Sequence, residues 1–213
     1  RPVVGQILGG PNGFVATGVG SDDGKNQGRV WHSTDGMNWD EPDLALFDAL
    51  VVGSLVATST AYFLVAQPNL DRADAPEGPP MLYRSTDGTL WVEVGPAPAT
   101  VHGLGALGDL LVAQLLTSEL TPTADGSKTA TTGLATSPDG INWTPAEVDG
   151  FDPNAMSTFD MQVVTGGGRS FMRSIGPGSE SRVWSSRDGT SWSQLPDPPI
   201  SGLLTATDRA LVI

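Results

Sequence analysis

Ser33-Thr34-Asp35-Gly36-Met37-Asn38-Trp39 recurs in form as Ser85-Thr86-Asp87-Gly88-Thr89-Leu90-Trp91, Ser137-Pro138-Asp139-Gly140-Ile141-Asn142-Trp143 and Ser186-Arg187-Asp188-Gly189-Thr190-Ser191-Trp192. Counted from Asp to Asp, the copies of Ser-x-Asp-Gly-x-x-Trp stand 52, 52 and 49 residues apart. Self-similarity at a fixed period of about fifty residues marks a solenoid or a propeller, in which every repeat is one supersecondary unit.

Upstream of each copy lie two short apolar segments joined by a turn. They are residues 4–8 and 14–18, 50–55 and 62–66, 103–107 and 110–114, and 161–164 and 171–175. A third segment runs into the motif and a fourth starts at its Trp. Such short runs punctuated by Gly, Pro and Asp are strands, and no stretch sustains a capped helical period. Asp-Gly is a hairpin turn because Gly accepts positive φ and Asp bonds its own turn backbone. Four antiparallel strands per repeat make a propeller blade.

The expected fold is therefore an all-β propeller with four full four-stranded antiparallel blades and part of a fifth. The blades cover approximately residues 1–46, 47–98, 99–148 and 149–198. Residues 199–213 begin the fifth with an inner hairpin from 202–205 and 209–213. The chain reads as a segment of a longer propeller, or as one whose ring is completed by strands from elsewhere, such as another copy.

The motif resembles the Asp-box of BNR-type propellers, found in sialidases, sortilin-type receptors and many bacterial exported proteins. The usual box reads Ser-x-Asp-x-Gly-x-x-Trp. Here Gly directly follows Asp, so the likeness is to the looser BNR-like variety, and it covers all four repeats. It implies that Ser33, Asp35, Gly36 and Trp39 form a structural turn on the outer part of the blade. The same holds for Ser85, Asp87, Gly88 and Trp91, for Ser137, Asp139, Gly140 and Trp143, and for Ser186, Asp188, Gly189 and Trp192. An extracytoplasmic or secreted location follows from the resemblance alone. Sialidases of this kind bind a carboxylate with three Arg and use a Tyr nucleophile with an acidic partner. The expected channel strands hold Gly, Ala, Val and Leu, while Arg29, Arg84 and Arg182 fall on third strands and Tyr62 and Tyr83 on second and third strands. No arginine triad assembles, and sialidase activity is not expected.

With 213 residues and a formal charge of −13, the chain lacks the basic surface that nucleic acid or an anionic membrane requires. It has no Cys, which excludes disulfide and thiolate chemistry. Residues 49–70 carry no charge. Gly53, Ser54, Thr58, Ser59 and Thr60 in their middle read as strand, turn and strand rather than a membrane span.

Propeller geometry puts the loops between second and third strands on one face, with the links between blades. The loops 21–28, 68–80, 118–130 and 176–181 carry Asp22, Asp23, Asp71, Asp74, Glu77, Glu119, Asp125 and Glu180. The links add Asp40, Glu41, Asp43, Asp48, Glu93, Glu147, Asp149, Asp152 and Asp197. Two readings of this acidic face stand. One is a site for a cationic partner or for calcium, with Asp22, Asp23, Asp71, Asp74 and Glu77 as oxygen donors and no other cofactor. The other is a set of hydrated loops that keep an acidic protein soluble. His32 immediately precedes a motif and His102 begins a channel strand; two imidazoles alone make no zinc site. Trp31 and Trp184, each four residues before a motif Asp, offer either a sugar-stacking surface or packing between blades.

These features are read first as a non-catalytic binding or scaffolding module, engaging a protein or carbohydrate ligand through the acidic face, without nucleic acid or membrane insertion. The alternatives are a glycoside-processing enzyme with its acid and base on that face, and a self-associating structural module.

Overall fold

In the computed structural model the structure describes residues 2–22, 25–42, 45–97, 103–122, 128–150, 162–166, 168–175, 181–196, 205–206 and 211–212. They are β-strands and turns, with a single 3-10 turn at Ala45–Phe47. The chain divides into two compact units, Arg1–Ala97 and Pro98–Ile213.

The first unit holds two blades. Blade 1 is β1 (Val3–Gly10), β2 (Gly13–Asp22) and β3 (Lys25–Ser33), paired antiparallel in that order. Its fourth strand is reduced to one bridge, in which His32 and Asp40 exchange backbone hydrogen bonds of 2.9 and 2.8 Å. Pro42 follows two residues on and has no N–H with which to extend the ladder. Blade 2 is a complete meander of β4 (Leu50–Ala57), β5 (Tyr62–Pro68), β6 (Met81–Ser85) and β7 (Val92–Pro96). The uncharged stretch 49–70 is thus β4, a turn and β5. Among the described residues no helix is long and apolar enough to cross a membrane.

The second unit holds β8 (Leu104–Leu107), β9 (Leu110–Pro122), β10 (Lys128–Ser137) and β11 (Thr144–Pro145) as blade 3. After β12 (Glu147–Val148) come β13 (Gln162–Gly166), β14 (Arg169–Ile175), β15 (Ser181–Ser186) and β16 (Ser191–Gln194) as blade 4. β12 belongs to the link between the blades and pairs parallel with β16, the outermost strand of the blade it leads into. A last pair, β17 (Thr205–Ala206) and β18 (Leu211–Val212), forms a two-stranded antiparallel sheet where the fifth blade is expected to begin.

All four motifs fold identically, because their hydrogen bonds are local. The Ser Oγ accepts from the Gly N–H at 2.8–2.9 Å. One Asp oxygen accepts from the backbone N–H groups two and three residues on, at 2.8–2.9 Å. The Trp indole N–H donates to the Gly carbonyl at 2.8–3.2 Å. The four Gly have φ between 75° and 81°, which a side chain would strain. These amides stabilise the charged carboxylate. Bonds led by those from Leu90 and Ser191 hold Asp87 and Asp188 at a pKa of about 2, and Asp35 and Asp139 lie lower still through the amides of Asn38 and Asn142.

The motif Trp residues are not equally covered. Trp91 and Trp192 are buried, whereas Trp39 and Trp143 are half-buried. Trp91 lies edge-on to Phe47, in the link entering its own blade, and Val148 in the link entering blade 4 packs on the cluster that contains Trp192. The link entering blade 3 falls largely outside the described residues, and the described residues supply no such link for Trp39.

Blades 1 and 2 share one core of Val15, Val30, Phe47, Leu50, Val52, Leu55, Tyr62, Leu64, Ala66, Tyr83 and Trp91. Fully burying an apolar side chain contributes about 1.5–3 kcal/mol, so this interface supplies much of the unit's stability. Its fit is close: a Cβ on Gly88 would stand 2.6 Å from the His32 ring and 2.9 Å from Val15. The same contact recurs in the second unit, where a Cβ on Gly189 would stand 2.7 Å from Leu110.

Candidate functional site

The blades invite comparison at one pair of positions, four residues before and six after the motif Asp. These are Trp31 and Glu41, Tyr83 and Glu93, Ala135 and Pro145, and Trp184 and Gln194. In blades 2, 3 and 4 the two are direct cross-strand partners, so their side chains share a face. Trp31 and Trp184 are buried, which decides for packing over an exposed sugar-stacking surface. Their indole N–H groups donate to Glu41 Oε2 at 3.2 Å and to the Asp149 carbonyl at 2.8 Å. Glu41 also takes Arg29 at 2.5 Å, so blade 1 is closed at this point.

Blade 2 departs from that pattern. Tyr83 stands where the indoles stand, its ring edge-on to Phe47 with centroids 5.1 Å apart. Beside it opens a cavity of about 400 Å³, which lies wholly within the first unit. Leu46, Leu50, Ala66 and Met81 give it an apolar wall, and Asp48, Glu77 and Glu93 are its carboxylates. Tyr83 lines it at 4 % exposure, and among the described residues no group hydrogen-bonds its hydroxyl. Burial first, and then the charge of Glu93, push the phenol pKa up, so the group is neutral and retains its proton.

The loop over this cavity is fastened at several points. Asn69 N–H donates to the Ala49 carbonyl at 2.9 Å, its side chain donates to the Asn26 carbonyl at 3.0 Å, and Arg72 N–H donates to the Asn69 carbonyl at 2.9 Å. The Arg72 side chain, 8 % exposed, joins Asp48 at 3.0 Å to Asp74, which it meets through two bonds of 2.8 and 3.0 Å. Ala49, between the cavity residues Asp48 and Leu50, is buried with φ of 61°, a left-handed conformation that costs a non-glycine residue about 1–2 kcal/mol.

The sequence candidates separate accordingly. Of the calcium donors, Asp71, Asp74 and Glu77 share the loop between β5 and β6, with Asp74 engaged by Arg72 and Glu77 at the cavity. Asp23 and the Asp22 side chain lie outside the described residues, as does His102. Among the described residues no three His, Cys, Asp or Glu are grouped to hold a metal. His32 is buried at 8 % exposure, with Nε2 3.0 Å from the Asn12 carbonyl. Tyr62 is fully buried; its hydroxyl donates to the Gly13 carbonyl at 3.0 Å and accepts from Asn12 N–H at 3.2 Å, and burial pushes its pKa up. It is a clasp between blades. β1, β4, β8 and β13 contain no Arg. The cavity was not legible in the motif pattern; its signal is Tyr83 in a position that blades 1 and 4 give to Trp and blade 3 to Ala135.

No family model matches the sequence, and no curated protein matches it. Solved structures do resemble it. Trypanosoma rangeli sialidase matches over 91% of this chain and 37% of its own, at 18% identity and a TM-score of 0.53. The same enzyme in complex with the inhibitor DANA matches over the same shares at 17% identity and a TM-score of 0.54. A family 117 glycoside hydrolase produced by the marine bacterium Zobellia galactanivorans matches over 91% of this chain and 68% of its own, at 11% identity and a TM-score of 0.51. The chain thus spans little more than a third of the sialidase's length. The first functional reading, a non-catalytic binding or scaffolding module, is corrected here: these structures are named as glycoside-cleaving enzymes and favour the alternative. What they establish directly is architecture, and the chain has the all-β fold of the sialidase-like propellers.

Proposed function

We propose that this chain serves a glycoside-processing enzyme and that its substrate is not a sialoside. The observation that carries the reading is the shared fold over 91% of the chain with a sialidase and a family 117 glycoside hydrolase. The blade 2 cavity supports it. Glu77 and Glu93 are the two cavity carboxylates that no protein cation engages among the described residues, and they are assigned to contact the sugar. Asp48, held by Arg72, orients sugar hydroxyls. A sialic acid would bring its own carboxylate to an acidic rim, and the channel strands lack the Arg that would receive it.

The Ser-x-Asp-Gly-x-x-Trp turns are assigned to the BNR-like Asp-box, which the identical hydrogen bonding of the four copies supports. An extracytoplasmic location goes with that assignment.

The test is a panel of aryl glycosides incubated with the purified chain between pH 4 and 8. Release of aglycone from a non-sialic substrate, lost in both Glu77→Gln and Glu93→Gln, is expected. Absence of turnover across the panel, or turnover of the sialoside alone, overturns the proposal.

A further inference from the structure

The charge and shape of the blade 2 cavity point to one class of sugar. We infer that it receives a residue bearing a free amine, a hexosamine, with the ammonium group held between Glu77 and Glu93. This rests on the glycoside reading of the same site and narrows its substrate.

The volume of about 400 Å³ falls within the range of small-molecule sites, roughly 300–1,000 Å³, and suits one or two pyranose rings. Leu46, Leu50, Ala66 and Met81 form a surface for the C–H face of a sugar. Tyr83 supplies the orienting polar group. Its hydroxyl is buried, neutral and without a protein partner among the described residues, so it is free to donate to one ligand oxygen and accept from another. A buried hydroxyl left unmatched is unfavourable, and blades 1 and 4 avoid an unmatched group here by bonding the indole N–H of Trp31 and Trp184.

Charge decides between a neutral sugar and an amine. Glu77 and Glu93 face one small cavity with no cation of their own among the described residues, while Arg72 is divided between Asp48 and Asp74. Two carboxylates lining one cavity with no protein cation beside them favour an ammonium over a neutral group. An acetylated amine carries no charge and adds bulk; an anionic sugar meets repulsion.

Calorimetric titration of the full chain at low salt with three tetrasaccharides tests this: β-1,4-glucosamine, its N-acetylated form and cellotetraose. The expected result is binding of the glucosamine tetramer at least about tenfold tighter than either of the others, weakened by added salt. Glu93→Gln and Glu77→Gln, both at exposed positions, should each weaken it about fivefold or more. Tyr83→Phe should weaken it with the near-ultraviolet spectrum retained. Equal binding of cellotetraose, abolished by the same substitutions, overturns the amine preference and leaves the glycoside reading standing. Failure of all three sugars to bind overturns both. Binding of a tetralysine peptide in place of the glucosamine tetramer overturns the sugar assignment.

Discussion

The side-chain amide of Gln6 clasps the backbone of Leu55. Its Nε2 donates to the Leu55 carbonyl at 2.7 Å and its Oε1 accepts from the Leu55 N–H at 3.0 Å. The two residues lie on β1 and β4, the first strands of adjacent blades, and each sits where a bulge interrupts its own ladder. The amide thus acts as a substitute strand, satisfying a donor and an acceptor that the edge of β4 leaves open. In the second unit Thr165 on β13 donates to the Ala106 carbonyl on β8, a simpler join between the same strands of the next blade pair.

Gln6→Ala should destabilise the first unit by about 1–2 kcal/mol, the net worth of two such bonds. Gln6→Glu should cost more at neutral pH, because a carboxylate oxygen then faces the Leu55 carbonyl. Chemical denaturation of the three proteins checks the order.

Acid should weaken the fold in a defined window. The motif Asp residues titrate below their unfolded value, to about 2 for Asp87 and Asp188, so their stabilisation is present above pH 4 and lost as pH falls toward 2. The double variant Asp87→Asn, Asp188→Asn should start with a lower melting temperature and lose less of it between pH 4 and 2. Parallel melting curves for the two proteins in that range would contradict this.

The motif tryptophans should differ in cost. Trp192→Ala removes a ring that is 2 % exposed and should destabilise by about 3–5 kcal/mol, whereas half-buried Trp39→Ala should cost less than half as much. Equal shifts in denaturation midpoint would refute the unequal burial.

Gly88→Ala and Gly108→Ala isolate the approach of blade 2 to blade 1. Both residues have positive φ, 81° and 59°, so both substitutions incur backbone strain of about 1–2 kcal/mol. Only at Gly88 would the new methyl meet His32 and Val15; around Gly108 nothing lies within 4 Å. The Gly88 variant should therefore melt well below the Gly108 variant.

Ala49→Gly should be neutral or stabilise by up to about 1 kcal/mol, since it relieves left-handed strain at the cost of one buried methyl and added chain entropy. A clear loss of stability would show that the Ala49 side chain matters more than its backbone.

What the sequence disclosed was what is local. Ser33, Asp35, Gly36 and Trp39 satisfy one another within seven residues, so their spacing carries the turn, and four phased copies carry the blades. The cavity is assembled from the 3-10 turn at Ala45–Phe47, the loop after β5 and a cross-strand pair on β6 and β7, segments far apart in the chain. Its one trace in the sequence was Tyr83 beside Glu93 in register with Trp31 and Glu41. Asp74 illustrates the converse: only the fold shows that Arg72 bonds it through two hydrogen bonds.

The parallel pairing of β12 with β16 reaches beyond blade 4 itself. An outermost strand ordinarily offers a row of unpaired amides to any extended chain it meets, the first step of edge-to-edge aggregation. Here Glu147 N–H bonds to the Thr190 carbonyl at 2.7 Å and Asp149 N–H to the Trp192 carbonyl at 3.0 Å, so the protein's own link occupies that edge. The segment that delivers the chain to the blade also keeps its rim from recruiting neighbours in a crowded solution.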